Sequence, residues 1–132
     1  MQKNTILAKK KRTGSYNRNR GHNYETKIAK ELRDLGYTGI VTSRSESKQM
    51  DNNKVDLIDT EGKLPCNIQL KKTIQTPNYF KIRSESTVDP DSFCLIWAKQ
   101  EPKEKNICTV GEAVIIDKQF FYKLLKLYLE KS

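Results

Sequence analysis

Four side chains in this sequence could cooperate in hydrolysing a phosphodiester: Glu25, Asp56, Gln69 and Lys71. Carboxylate and amide oxygens are hard ligands of the kind that hold a magnesium ion. A metal there would polarise the phosphate and lower the pKa of a bound water, and a lysine beside it would offset the charge of the transition state. Gln69 stands where a second acid would bind the metal more strongly, because an amide oxygen carries no charge. The spacing Asp-x(12)-Gln-x-Lys is weak by itself. Its meaning depends on the elements that carry it.

Glu25 lies in "HNYETKIAKELRDL", residues 22–35, a helix that Asn23 can cap and Gly36 can end. On a helical wheel Glu25 falls among Ile28, Ala29 and Leu32, with Lys27, Lys30 and Asp34 on the far side. A carboxylate on the apolar face is costly unless something pairs it. The competing reading is an ordinary acid in the first turn, favoured by the helix dipole. Asp56 is the lone acid in the middle of "VDLI", within a short strand over 55–59. "TEGK" makes a turn, and "PCNIQLKKT", 65–73, returns as the second arm of a hairpin. Alternation puts Cys66, Ile68 and Leu70 on one face, and Asn67, Gln69 and Lys71 on the other. That second face is either a functional surface or simply solvated.

The remaining pattern reads as a strand over 39–43, a flexible loop over 45–54 and a long irregular connection over 74–91. After these come a central strand over 92–99, a loop "QEPKEKN", and two short strands, "ICTV" and "EAVIID". Asp117 then caps a helix reaching about Lys131, striped by Phe120, Phe121, Leu124, Leu125 and Tyr128. The fold class that follows is α/β, with a mixed central sheet flanked by helices.

The chain has 132 residues and a net charge of +9. Seven bases and no acid fall in residues 1–20, so the rest is nearly neutral. The expected organisation is a basic arm over 1–20 and a single domain over 21–132. A phosphate-binding arm, a solubilising tail and a nuclear-targeting run all share this composition, and the first is preferred. Cys66, Cys94 and Cys108 with the single His22 make neither a zinc set nor a disulfide framework, and they read as small core residues. His22, near Glu25, is a surface residue or a phosphate contact. Phe93 and Trp97 read as core in preference to base-stacking residues, and Tyr79 and Phe80 as contacts to DNA or, the preferred reading, to a second subunit. No apolar run reaches membrane-spanning length, so the expected setting is the cytoplasm, without a membrane partner.

The set Glu25, Asp56, Gln69 and Lys71 resembles the PD-(D/E)XK nuclease superfamily. "NRGHNYETKIAKELRDLGY" followed by "VTSRSES" resembles the opening of the archaeal-type Holliday-junction resolvases, over roughly residues 18–73. The closing "EAVIIDKQFFYKLLK" is similar more weakly. The resemblance implies a restriction-endonuclease-like fold and a homodimer that makes paired nicks in branched DNA. Glu25, Asp56 and Gln69 would hold Mg2+, for which Mn2+ can substitute, and Lys71 would be the catalytic lysine. Ser43 or Ser45 would match the family's loop serine. Lys9, Lys10, Lys11, Arg12, Arg18, Arg20, Arg44 and Lys48 would join these serines against DNA. Two positions depart from the pattern. Val55 precedes Asp56 in place of proline, and Gln69 replaces the usual acid, as in Mrr-like restriction nucleases. Such a small stand-alone enzyme suits a virus or an archaeon. The rival readings are a repair- or restriction-type endonuclease acting on linear DNA and a non-catalytic, basic nucleic-acid-binding protein.

Overall fold

The computed structural model describes residues 14–43, 55–86 and 92–131, with side chains from His22 onward. Of the expected DNA contacts, Lys9, Lys10, Lys11, Arg12, Arg44, Ser45 and Lys48 lie outside the described residues, as do the side chains of Arg18 and Arg20.

Helix α1 runs from Gly14 to Leu35. It begins inside the segment assigned to the basic arm, and Asn23 is interior to it rather than its cap. Its end follows the sequence. Gly36 takes a φ of +123°, and the Gly36 and Tyr37 N–H groups donate back to the Arg33 and Leu32 carbonyls.

Five strands form one sheet: β1 (Ile40–Thr42), β2 (Leu57–Asp59), β3 (Asn67–Thr73), β4 (Phe93–Lys103) and β5 (Asn106–Ile116). Their spatial order is their chain order, and only β3 and β4 run parallel. The sheet is therefore mixed, as expected. A parallel pair needs a crossover. Here it contains helix α2 (Tyr79–Glu85), started by Asn78, whose Oδ1 accepts from Lys81 N, so the 74–91 segment is not wholly irregular. The "QEPKEKN" loop is mostly strand. Gln100–Lys103 continue β4, and "ICTV" and "EAVIID" are one strand, so β4 and β5 form a long hairpin turning at Glu104 and Lys105.

The turn between β2 and β3 is built by Asp59. Its carboxylate accepts from the Glu61, Lys63 and Leu64 amides, and the Glu61 bond is first among those holding its pKa below the usual value. Gly39 passes close to this turn. A Cβ there would lie 2.8 Å from Asp59 Oδ1, Thr60 Oγ1 and Glu61 Cγ, so any other residue would force these side chains of the turn to shift.

Alternation divides the core between the two sheet faces. On one face Tyr24, Ile28 and Ala29 of α1 pack on Ile40, Leu57, Ile68, Leu70, Cys94 and Ala98. On the other, Tyr79 of α2 packs on Phe93 and Leu95, and its hydroxyl donates to the Phe93 carbonyl. Burying each large apolar side chain contributes roughly 1.5–3 kcal/mol. Tyr79 is thus a core residue and not part of an interface, whereas Phe80 is exposed. Helix α3 (Lys118–Lys131) starts where expected, with Asp117 accepting from Gln119 N and pairing with Arg83 of α2. Its apolar stripe does not pack inward: only Phe120 is buried.

Candidate active site

Asp56 sits just before β2, where the ladder with β3 thins out. Its amide donates to the Ile68 carbonyl and its carbonyl accepts from Ser43 N. Its Oδ2 accepts from Leu70 N at 2.7 Å, taking the place of a backbone acceptor from the neighbouring strand. The carboxylate is therefore fastened to β3 at the residue between Gln69 and Lys71. Asp56 and Asp59 lie three residues apart with different duties, one fixed beside Gln69 and Lys71 and the other consumed by a turn.

Gln69 and Lys71 point to the face of β3 that carries Leu95 and Trp97 on the neighbouring strand, opposite the face covered by α1. Ser43 and Asp56 lie just outside β1 and β2, and the Asp56 carboxylate turns into the plane of the sheet to reach Leu70 N. That face is not simply solvated at Gln69, which is only 7% exposed, and its Oε1 accepts no hydrogen bond among the described residues. A buried amide oxygen left this way costs about 1–3 kcal/mol. Most such groups in folded proteins find a donor, a water or an ion. Lys71 is half-buried, and Ser43 is fully buried.

Glu25 is 5% exposed, in the sheet-facing stripe of α1 as its wheel position predicts. His22 Nδ1 lies 4.0 Å from its Oε1. One flank of α1 turns towards β5: Tyr24 donates to Glu112 Oε2 at 2.8 Å, and Lys27 joins the same carboxylate at 3.2 Å. The other flank turns towards β1, where Arg33 donates to the Ile40 carbonyl. Glu25 lies between them at the end of the helix where Lys72 stands 5.8 Å from the Tyr24 ring. It thus comes to the sheet from the α1 side, while Gln69 and Lys71 face away from that helix. The structure puts Gln69 and Lys71 on one face, sets the Asp56 carboxylate in the sheet plane between them, and brings Glu25 from the opposite side.

Asp56 and Gln69 offer oxygen donors suited to a hard divalent cation, and the buried Gln69 Oε1 fits a place where a cation or a donor belongs. Among the described residues no three His, Cys, Asp or Glu side chains are grouped as metal ligands. With Gln69 in the set and Glu25 on the α1 side of the sheet, Asp56 is the only carboxylate it contains.

Sequence reasoning missed two features. The Tyr24–Glu112–Lys27 cluster joins residues 85 or more positions apart and leaves no local pattern. Burial raises the Tyr24 pKa first and its bond to Glu112 second; the same bond, then Lys27, holds the Glu112 carboxyl below the usual value. The other is Trp97, read as core but half-buried at the open end of the Lys71 face. Among the cysteines Cys94 is buried, while Cys66 and Cys108 are half-buried. Comparison with protein-family models, with curated proteins and with solved structures returned no match. Among the described residues no helix is long and apolar enough to cross a membrane.

Proposed function

We propose that this chain is a divalent-metal-dependent endonuclease with a restriction-endonuclease-like core, selective for branched DNA in the manner of the archaeal-type Holliday-junction resolvases. The supporting observation is the fastening of Asp56 to Leu70 N, which sets a carboxylate against the strand that carries Gln69 and Lys71.

In this reading Asp56 and Gln69 would hold Mg2+ or Mn2+ through oxygen, and Glu25, on the α1 side of the sheet, is not part of the set. When bound, the ion supplies charge neutralisation at the phosphate and a more acidic water. The chain's own residues do the positioning. The Leu70 amide orients Asp56, so its carboxylate need not be ordered when substrate arrives. Lys71 follows Gln69 on the same face and holds its ammonium against the scissile phosphate, where negative charge grows in the transition state. The basic residues of the arm and of the 44–48 segment hold backbone phosphates without reading sequence.

Two such sites, related by a two-fold axis, would nick opposing strands. The exposed apolar surface of β5 and α3 supports a homodimer. Val110, Val114, Phe121, Leu125, Tyr128 and Leu129 are all exposed there, and β5 is a long edge strand with one acid and no proline.

The test is cleavage of a synthetic four-way junction, compared with a matched linear duplex, with Mg2+ or Mn2+ and without. The parent should cut the junction in a metal-dependent way. Asp56→Asn should lose at least about 100-fold in cleavage and keep junction binding. Preferential cutting of the duplex would favour the linear-DNA enzyme. Binding without any metal-dependent cleavage would favour a non-catalytic DNA-binding protein, a reading that the neutral amide at Gln69 also supports.

A further inference from the structure

The sheet face that carries Gln69 and Lys71 changes character along β4. Phe93 and Leu95 are fully buried beneath Tyr79 of α2. Trp97, two residues further on the same face, lies beyond that cover and is half-buried. Its neighbours in register are Lys71 on β3 and Ala113 on β5. Adjacent strands are about 4.8 Å apart, so the indole stands one strand from the proposed catalytic lysine.

The ring is held in place. Its Nε1 donates to Thr73, with the carbonyl oxygen at 3.2 Å and Oγ1 at 3.0 Å. The only polar atom of the indole is thereby used, which leaves its π-surface as the recognition element. Lys99 Nζ lies 6.0 Å from the ring centroid and is itself tied to the Ile74 carbonyl. Towards β5 the side chains are small. Ala113 is opposite Trp97, Gly111 is opposite Lys99, and a Cβ on Gly111 would meet nothing within 4 Å. The result is a groove of about 230 Å³ lined by Trp97, Lys99, Val110, Gly111, Glu112 and Ala113. An irregularity in the β4–β5 ladder at Lys99 and Gln100 borders it.

We propose that Trp97 is a stacking platform for one unpaired base of the DNA strand, the adjoining phosphates lying between Lys71 and Lys99. The proposal rests on the nuclease reading for the kind of ligand. Its chemistry is the general one of single-strand binding: an immobilised aromatic face for the base, which is insensitive to sequence, and flanking ammonium groups for the backbone. A branched substrate supplies such a base more readily than a paired duplex, because fewer of its bases are stacked on both sides.

Trp97 is the only tryptophan, so its emission reports the site directly. The experiment uses the full chain in EDTA, which separates binding from cleavage. A twelve-nucleotide oligothymidylate is compared with an abasic strand of equal length, and saturation by each is followed by anisotropy of an end label. The free protein should be open to quenching by iodide. Oligothymidylate should quench Trp97 and shield it from iodide, and the abasic strand should bind without quenching. Trp97→Leu should bind oligothymidylate roughly tenfold more weakly, Trp97→Phe should recover most of that loss, and both should bind the abasic strand like the parent. Equal quenching by both strands, or anisotropy showing binding while emission stays unchanged, would overturn the proposal. So would an indole closed to iodide in the free protein. Base-dependent quenching in a protein that never cleaves would sink the nuclease reading and leave the platform standing.

Discussion

The two edges of the sheet invert the usual solvent preference in opposite ways. Around β1, β2 and β3, polar groups are buried: Glu25, Ser43 and Gln69 are all closed to solvent, and Gln69 Oε1 accepts no hydrogen bond among the described residues. At β5 and α3, apolar groups are exposed: Phe121 and Leu125 are about half exposed, and Tyr128 and Leu129 are 75% and 74% exposed. A chain selected for stability alone would hide the second set and keep the first in water. In the proposed reading the first edge serves a cation and a phosphate, and the second a partner protein.

The sharpest way to break this contrast is Gln69→Leu. If the amide serves a ligand, the substitution should abolish metal-dependent cleavage and also stabilise the fold by about 1 kcal/mol, since it removes an unsatisfied buried acceptor. Thermal melts read the second effect as a rise in Tm of roughly 4 °C. A lower Tm would mean that Gln69 is an ordinary packing residue, and the polar edge would lose its meaning.

At the apolar edge, Phe121→Glu combined with Leu125→Glu should turn a dimer into a monomer, measured by light scattering on a sizing column. The monomer's own Tm should change little, by about 2 °C, because neither side chain is buried in the isolated chain. A parent that is already monomeric at micromolar concentration would remove the homodimer from the proposal.

The smallest effect belongs to the clamp between the edges. Tyr24→Phe removes one hydrogen bond to Glu112 and should cost about 1 kcal/mol, seen by urea unfolding. The pH dependence follows from the two shifts. Glu112 is held below its unfolded value near ~4.3, so its contribution is complete above that pH and fades as acid protonates it. Tyr24 is raised above its unfolded value near ~10, so its contribution is complete below that pH and fades in stronger base. In Tyr24→Phe the stability profile should flatten at both ends. An unchanged profile would mean that the clamp carries no net energy.

The site was more legible in the sequence than the sheet's outer edge. Glu25 stood out because a carboxylate breaks a helical apolar stripe, and Asp56 because it is the lone acid in an apolar run. Gln69 and Lys71 followed from alternation along one strand. Such arguments need only the periodicity of one element. The start of α1 was missed because Asn23 offered a capping signal, a weak local preference that is overridden in a helix running from Gly14. The β4–β5 hairpin was cut too short because Pro102 and Gly111 carry a turn signal, although Pro102 pairs with Ile107 near the end of the ladder.

By itself the sequence determined which side chains are available, the period of each element and hence which residues share a face. Only the tertiary structure decided that the Leu70 amide fastens Asp56, that Gln69 is buried rather than solvated, that Glu25 arrives from the other side of the sheet, and that the last helix keeps its stripe in the open. The physical reason is that period sets direction within an element, whereas burial and pairing depend on which distant element comes to lie against it.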